Sequence, residues 1–308
     1  MSGPVPAPVP TSDALETPAA GVRPSRARGR YRGIHKRPSP WLVILGSLLI
    51  LVFFTFPYVL MVISSLKSQG DIMKIPPDYL PSEPVWSNYL TVWGSNVAPG
   101  RALLATTVIA VGATLLVLVV ATPAAYYVAR FRFRGRLPFL LIVLITQMLQ
   151  PTVLAVGLYQ EFVGWRGQLV WGALILINAA FNLSFAIWIM QAFFASVPKE
   201  VEEAALIDGV GRLQALFRIA LPLVWPGIVT AIVFVFVNTW NEYAAAFVLV
   251  QDPALQPLTV AMPRFLGLYV RDWQYLFTTA LVAIVPVIIL FGFIEKRLIG
   301  GLTAGSVK

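Results

Sequence analysis

The chain contains no cysteine and one histidine, His35. Disulfides, thiolate nucleophiles and cysteine-ligated zinc are therefore excluded, and a lone histidine in a basic, proline-rich stretch lacks the clustered ligands that a metal site needs. Charge is scarce too: Asp, Glu, Lys and Arg make up 12% of the 308 residues, against about 25% in an average soluble domain. Apolar residues form 58% of the chain, arranged in long runs free of charge. A soluble domain does not have this composition; a chain that crosses a lipid bilayer does. The net charge of +9 alone would suit a nucleic-acid partner. The basic residues lie mostly at the ends of the apolar runs, however, so membrane topology explains them and nucleic acid is excluded.

A span needs about 20 predominantly apolar residues. Six stretches qualify, 41–63, 102–127, 137–158, 169–193, 225–248 and 273–294, and only the fifth holds a charge, Glu242. With the N-terminus inside, the cytoplasmic segments carry 17 of the 23 Lys and Arg residues, including Arg130, Arg132, Arg134 and Arg136 in one short loop. The outer loops hold Lys67, Lys74, Arg101, Arg166, Arg264 and Arg271, balanced by six acidic residues. Positively charged loops stay cytoplasmic, so both termini are predicted inside, with anionic lipid of the inner leaflet as a partner of the basic tail. Residues 1–40 hold eight prolines and seven Lys or Arg without an apolar period. They predict a disordered cytoplasmic tail ahead of a membrane domain over 41–308. The first apolar run is too long for a signal-peptide core and lacks a small-residue cleavage site, so it reads as an uncleaved span. Between the first two spans, Pro76, Pro77, Pro81 and Pro84 accompany Trp86, Tyr89 and Trp93; the segment is an ordered outer cap or an aromatic interface belt.

One predicted cytoplasmic segment, 194–223, carries amphipathic structure of its own. Ser196 is placed to cap a short helix with Pro198 in its first turn, and Glu200, Glu202 and Glu203 lie near its positive end. Gly209 offers a left-handed stop. A second short helix follows, in which Leu213, Leu216, Phe217 and Ala220 recur at helical spacing and Pro222 closes the unit. Such a projection either docks into a partner or packs back on its own chain as a connector.

Within this segment the chain has Glu203, Ala204 and Ala205, three residues, Gly209, nine residues, then Ile219, Leu221 and Pro222. The pattern resembles, at every spacing, the EAA motif of the inner-membrane permeases of binding-protein-dependent ABC importers. The resemblance extends over nearly all of the chain beyond residue 40 and is nearest to the maltose-type second permease of the carbohydrate branch. It is carried also by Ala124–Arg130 with the following Phe131–Arg136, by Trp240, Asn241, Glu242 and Tyr243, and by the C-terminal Gly301–Lys308. Gly100 and Arg101 stand where many relatives have Asn and Ser, and the long basic tail is unusual.

The resemblance implies an all-α polytopic membrane protein of six transmembrane helices, with the coupling loop between the fourth and fifth. It places the chain in a bacterial or archaeal cell membrane. It implies a second homologous permease, two cytoplasmic ATPase subunits, an extracytoplasmic solute-binding protein and a sugar as solute; glycerol phosphate or a polyol stays open within the same branch. Glu203 would meet a basic residue of the ATPase. This chain has no Gly-rich phosphate loop with its Lys and Ser or Thr, so it is read as no enzyme and as holding no cofactor, with ATP and magnesium on the partner ATPase.

Polar side chains within hydrocarbon gather at cavities or between helices. Gln147, Gln150, Asn178, Asn182, Asn238, Asn241 and Glu242 are the candidates, with Trp240 and Tyr243 beside them. Amides and a carboxylate supply the donors and acceptors that sugar hydroxyls need, and rings cover a sugar's apolar face. Gln150, Asn182, Asn238, Trp240, Asn241, Glu242 and Tyr243 are thus read as a substrate path, beside the alternative that the amides only hold the bundle together. Glu242 is either a cavity-lining or gating residue or a structural partner of the companion permease. It is the one intramembrane acid, without intramembrane Lys, Arg or His, and no internal repeat is apparent; both observations weigh against an ion-coupled secondary transporter. A membrane enzyme would need a nucleophile with its base, or a metal site, within the spans.

Overall fold

The computed structural model describes Gly3 and residues 39–148, 151–162, 164–165, 167, 169–267 and 271–304, with backbone alone for 151–153, 155–156 and 295–304. The predicted tail lies almost wholly outside the described residues. The chain divides into two compact units, residues 1–51 and 52–308.

Every regular element among the described residues is helical, apart from one isolated bridge between Leu266 and Arg271. In order these are α1 (Pro40–Ser65), α2 (Gln69–Met73), α3 (Asn88–Thr91), α4 (Pro99–Arg130), α5 (Arg136–Thr146), α6 (Pro151–Phe162) and α7 (Leu169–Ser196). There follow α8 (Lys199–Ile207), α9 (Arg212–Ala215), α10 (Leu221–Leu223), α11 (Trp225–Trp240), α12 (Ala244–Leu249), α13 (Leu258–Ala261) and α14 (Trp273–Ala304). Helices satisfy their backbone groups internally, the condition that hydrocarbon imposes on a spanning segment. Among the described residues α1, α4, α7 and the 273–294 part of α14 are each long and apolar enough to cross a membrane. Residues 212–223 and α11, bent by 80° at their junction, make a fifth if counted as one span.

Two predicted spans are interrupted. The run 137–158 becomes α5 and α6, with Pro151, which has no N–H to donate, as the first residue of α6. The run 225–248 breaks at 241–243 between α11 and α12.

The core is the α4–α7 pair with α11 laid across it. Along α4 the buried positions Ala102, Ala105, Ile109, Ala113, Val117, Ala121 and Ala125 recur every three or four residues. A stripe dominated by alanine lets helix backbones approach closely. Two glycines mark the tightest points. A Cβ at Gly112 would lie 2.7 Å from Ile175 Cδ1, and one at Gly227 would lie closer still to Phe193 Cγ. The largest apolar cluster joins Ala121, Ala125 and Ala129 of α4 to Met190 and Phe194 of α7, to Leu216 and Ala220, and to Ile228 and Val235 of α11.

The loop between α1 and α4 carries the short helices α2 and α3. Asn88 is buried and donates to the carbonyls of Ser65 and Lys67 at 2.9 and 3.0 Å, and Tyr89 pairs with the Ser65 hydroxyl at 2.8 Å. Val92 and Val97 pack with Leu258, Ala261 and Phe265 from the α13 region.

Candidate functional site

Most of the residues singled out in the sequence lie at two places, the segment 194–223 and the break between α11 and α12. In the first, α7 runs on to Ser196, whose Oγ donates to the Phe193 carbonyl at 2.8 Å. Ser196 therefore does not cap the next helix, contrary to its spacing, and α8 begins after Pro198 with no side-chain cap. Glu200 and Glu202 in its first turn complement the helix dipole instead. At the other end Gly209 has φ +84°. The Val210 N–H reaches the Ala205 carbonyl at 3.0 Å and the Gly209 N–H reaches the Leu206 carbonyl at 3.2 Å. This doubly bonded stop requires a left-handed residue, for which glycine has no Cβ penalty.

Consecutive helical residues project about 100° apart, so Glu202 and Glu203 cannot share one environment. Glu203 is exposed and Glu202 is buried. The Glu202 carboxylate accepts from Arg130 Nε at 2.8 Å and from the Tyr126 hydroxyl at 2.9 Å, and Arg130 Nη2 completes the ion pair. The Arg130 and Glu202 side chains are only 7% and 8% exposed. Arg130 Nη1 also donates to the Val197 carbonyl at 2.9 Å. Tyr126 and Arg130 are four apart on α4, hence on one face. Sequence reasoning took Glu202 only for a helix-dipole charge; two adjacent glutamates on one amphipathic helix were the available signal that one of them turns inward.

In the motif, Glu203 and Ala204 are exposed, Ala205 is buried, Ile219 and Leu221 are half-buried and Pro222 is exposed. The second helix is longer than its sequence suggests. α9 passes through a π-helical turn, Leu216–Ala220, into α10, and Pro222 sits inside that last turn rather than closing the unit; the bend comes at Val224. Its apolar stripe divides. Leu216 and Ala220 are buried in the core cluster, while Leu213 and Phe217 are 73% and 60% exposed, as is Ile207 of α8 at 86%. Arg212 lies over the Phe131 ring, 5.0 Å from its centroid.

At the second place, the Glu242 carboxylate folds forward and caps α12, accepting from the Ala245 N–H at 2.7 Å and the Ala246 N–H at 3.2 Å. Its carbonyl accepts from the Thr259 hydroxyl at 2.7 Å. Asn178, Trp240 and Glu242 adjoin one small void with Thr106, Thr239 and Thr259. Asn182, buried, donates to the Asn178 carbonyl, and Asn178 to that of Leu174, each four residues back at 2.9 Å. Asn241 does likewise to Val237 at 2.8 Å. Asn238, Asn241 and Tyr243 are exposed, with Tyr243 stacked on Phe247 and the buried Trp240 stacked on Phe236. Of the path candidates, Trp240 and Glu242 adjoin that small void, and Gln150 lies outside the described residues. Gln147 adjoins a separate cavity of about 230 Å³ between α5 and α7, lined by Val143, Leu144, Ser184, Phe185 and Trp188. Phe185 stacks in turn on Phe234 of α11.

Residues 121–301 match the family model of the binding-protein-dependent transport system inner membrane component. The chain is 30% identical to the sulfoquinovosyl glycerol transport system permease protein SmoH of Agrobacterium fabrum over 87% of its own length and 93% of that protein. It is 32% identical to the diacetylchitobiose uptake system permease protein NgcG of Streptomyces coelicolor, over 87% of each. With the trehalose/maltose transport system permease protein MalG of Thermococcus litoralis the identity is 28%, over 87% and 96%. Among solved structures, a bacterial ABC transporter involved in the import of the acidic polysaccharide alginate has the same fold, with a TM-score of 0.70 at 21% identity over 85% of this chain and 98% of that one.

Proposed function

The chain belongs to the binding-protein-dependent transport system inner membrane components, a family of transport subunits rather than enzymes, and from that premise we propose that it is one of two permeases of an ATP-driven carbohydrate importer. It spans the membrane six times with both termini in the cytoplasm, and it pairs with a second, related permease. An extracytoplasmic binding protein delivers the solute, and two cytoplasmic ATPase subunits bearing ATP and magnesium dock on the segment 194–223.

One observation carries this reading. The side chains of the segment divide: Glu202, Leu216 and Ala220 are locked to the chain's own bundle, while Glu203, Ala204, Ile207, Leu213 and Phe217 stay open. A connector that only packed on its own chain would bury its large apolar residues, since each left in water forgoes about 1.5–3 kcal/mol. An exposed carboxylate on a segment that also exposes large apolar side chains suits a cleft with a basic group at its base.

The carbohydrate class is supported by the names of SmoH, NgcG and MalG. The ring faces of Phe185 and Trp188 beside Gln147, and the exposed Asn238, Asn241 and Tyr243, are of the chemistry that sugars require. An ion-coupled transporter would need its acid free to exchange a proton. Glu242 instead holds the start of α12, which counts against that alternative.

The test is uptake by cells lacking this chain, offered a panel of labelled mono- and oligosaccharides, glycerol phosphate and polyols. Loss of one carbohydrate, restored by the wild-type chain and abolished by ATP depletion at constant membrane potential, is the expected result. Uptake that follows the proton gradient instead would contradict it.

A further inference from the structure

Docking needs only the open face of α8, so the buried Arg130–Glu202 pair requires its own account. Apolar residues of equal volume would hold two helices together at least as well as a buried ion pair. What the pair adds is a fixed direction and register. Glu202 is held by Arg130 Nε and by the Tyr126 hydroxyl, and Arg130 also grips the Val197 carbonyl where α7 hands over to α8. Arg212, over the Phe131 ring, ties the second helix to the residue directly after α4. Moving α8 away from α4 would leave two charges buried and unpaired, whereas its covalent link to α7 passes only through Val197 and the extended Pro198. A charged, buried path from α8 into the bundle therefore runs into α4, although α8 follows α7 in sequence, beside the apolar path through Leu216 and Ala220. α4 is also the helix packed most extensively on α7 and α11.

We propose that Arg130 and Glu202 are positioning residues that form the joint through which the docked helix α8 drives α4. The inference rests on the docking reading of the segment 194–223. Its signature is the ratio of solute imported to ATP hydrolysed, because a joint transmits motion while a purely structural contact affects only how much complex assembles.

The experiment uses the whole importer, reconstituted in vesicles with its binding protein, carrying Arg130→Met or Glu202→Gln. In the assembled fraction, ATP hydrolysis is expected to persist while imported solute per ATP falls at least about tenfold, since unpairing a buried charge is worth more than one decade. The exchange Arg130→Glu with Glu202→Arg is expected to recover part of that ratio. Tyr126→Phe removes one oxygen and almost no volume, so it keeps the test available if the charge variants fail to assemble; a fall of about threefold is expected from one lost hydrogen bond. An unchanged ratio in every variant that assembles overturns the joint. Glu203→Lys, run alongside, separates the two ideas. If it loses the ATPase while the pair variants keep their ratio, the joint falls and docking stands. If it keeps the ATPase, the docking reading falls and takes the joint with it.

Discussion

Among single residues, Gly209 and the two neighbouring glutamates show how far local chemistry reaches. The role of Gly209 was legible because a left-handed stop has a residue signature, and the structure gives it φ +84° with both bonds of the stop. A left-handed conformation costs an L-residue about 1–2 kcal/mol, and a β-branched residue tolerates it worst. Gly209→Val is therefore expected to abolish transport while membrane insertion survives, and Gly209→Asn, which tolerates this region, to retain most of it; uptake assays on both variants at matched membrane levels decide. Glu242 was legible as unusual but not as a cap, because nothing in an apolar run announces that the helix will break there. Glu242→Ala should lower stability by about 1 kcal/mol as a lost cap, read as a lower thermal midpoint in detergent. Glu242→Gln keeps an oxygen for the Ala245 N–H and should import within about threefold of wild type. Loss of import in the Gln variant with an unchanged midpoint would return Glu242 to the solute path.

For the helices themselves, the uncharged runs located α1, α4, α7 and α14 closely, since length and composition are sufficient for a straight span. The interrupted ones were harder. Pro151 was visible inside the third run, yet an apolar run reads the same whether one helix or two occupy it. The crossing of α7 and α11 was invisible, because which glycine meets which side chain is decided by tertiary packing. At Gly227 a methyl group would enter the Phe193 ring, whereas at Gly112 it would meet the far end of the Ile175 side chain, which can rotate away. Gly227→Ala is accordingly expected to destabilise by about 1–3 kcal/mol as overpacking, and Gly112→Ala by less. Adding Phe193→Leu to Gly227→Ala should recover part of the loss, measured by thermal unfolding in detergent. Equal midpoints for the two glycine variants would refute the close crossing.

For the whole molecule, the scarcity of charge and the placement of the basic residues were enough to assign a membrane, and the spaced motif from Glu203 to Pro222 pointed to the family. The apolar stripe of the second short helix was not enough to say what it packs against. Its spacing is the same whether the face meets the chain's own core, as Leu216 and Ala220 do, or remains open, as Leu213 and Phe217 do. The same division separates Glu202 from Glu203, and it underlies the claim that this segment both docks and transmits. Purification of the tagged chain from its native host in mild detergent, with the bound subunits identified and counted by mass spectrometry, tests that claim most directly. Recovery of a second permease with two copies of an ATPase, the ATPase lost on Glu203→Lys, is the predicted result; this chain recovered alone in several mild detergents, or an ATPase indifferent to Glu203→Lys, would contradict it.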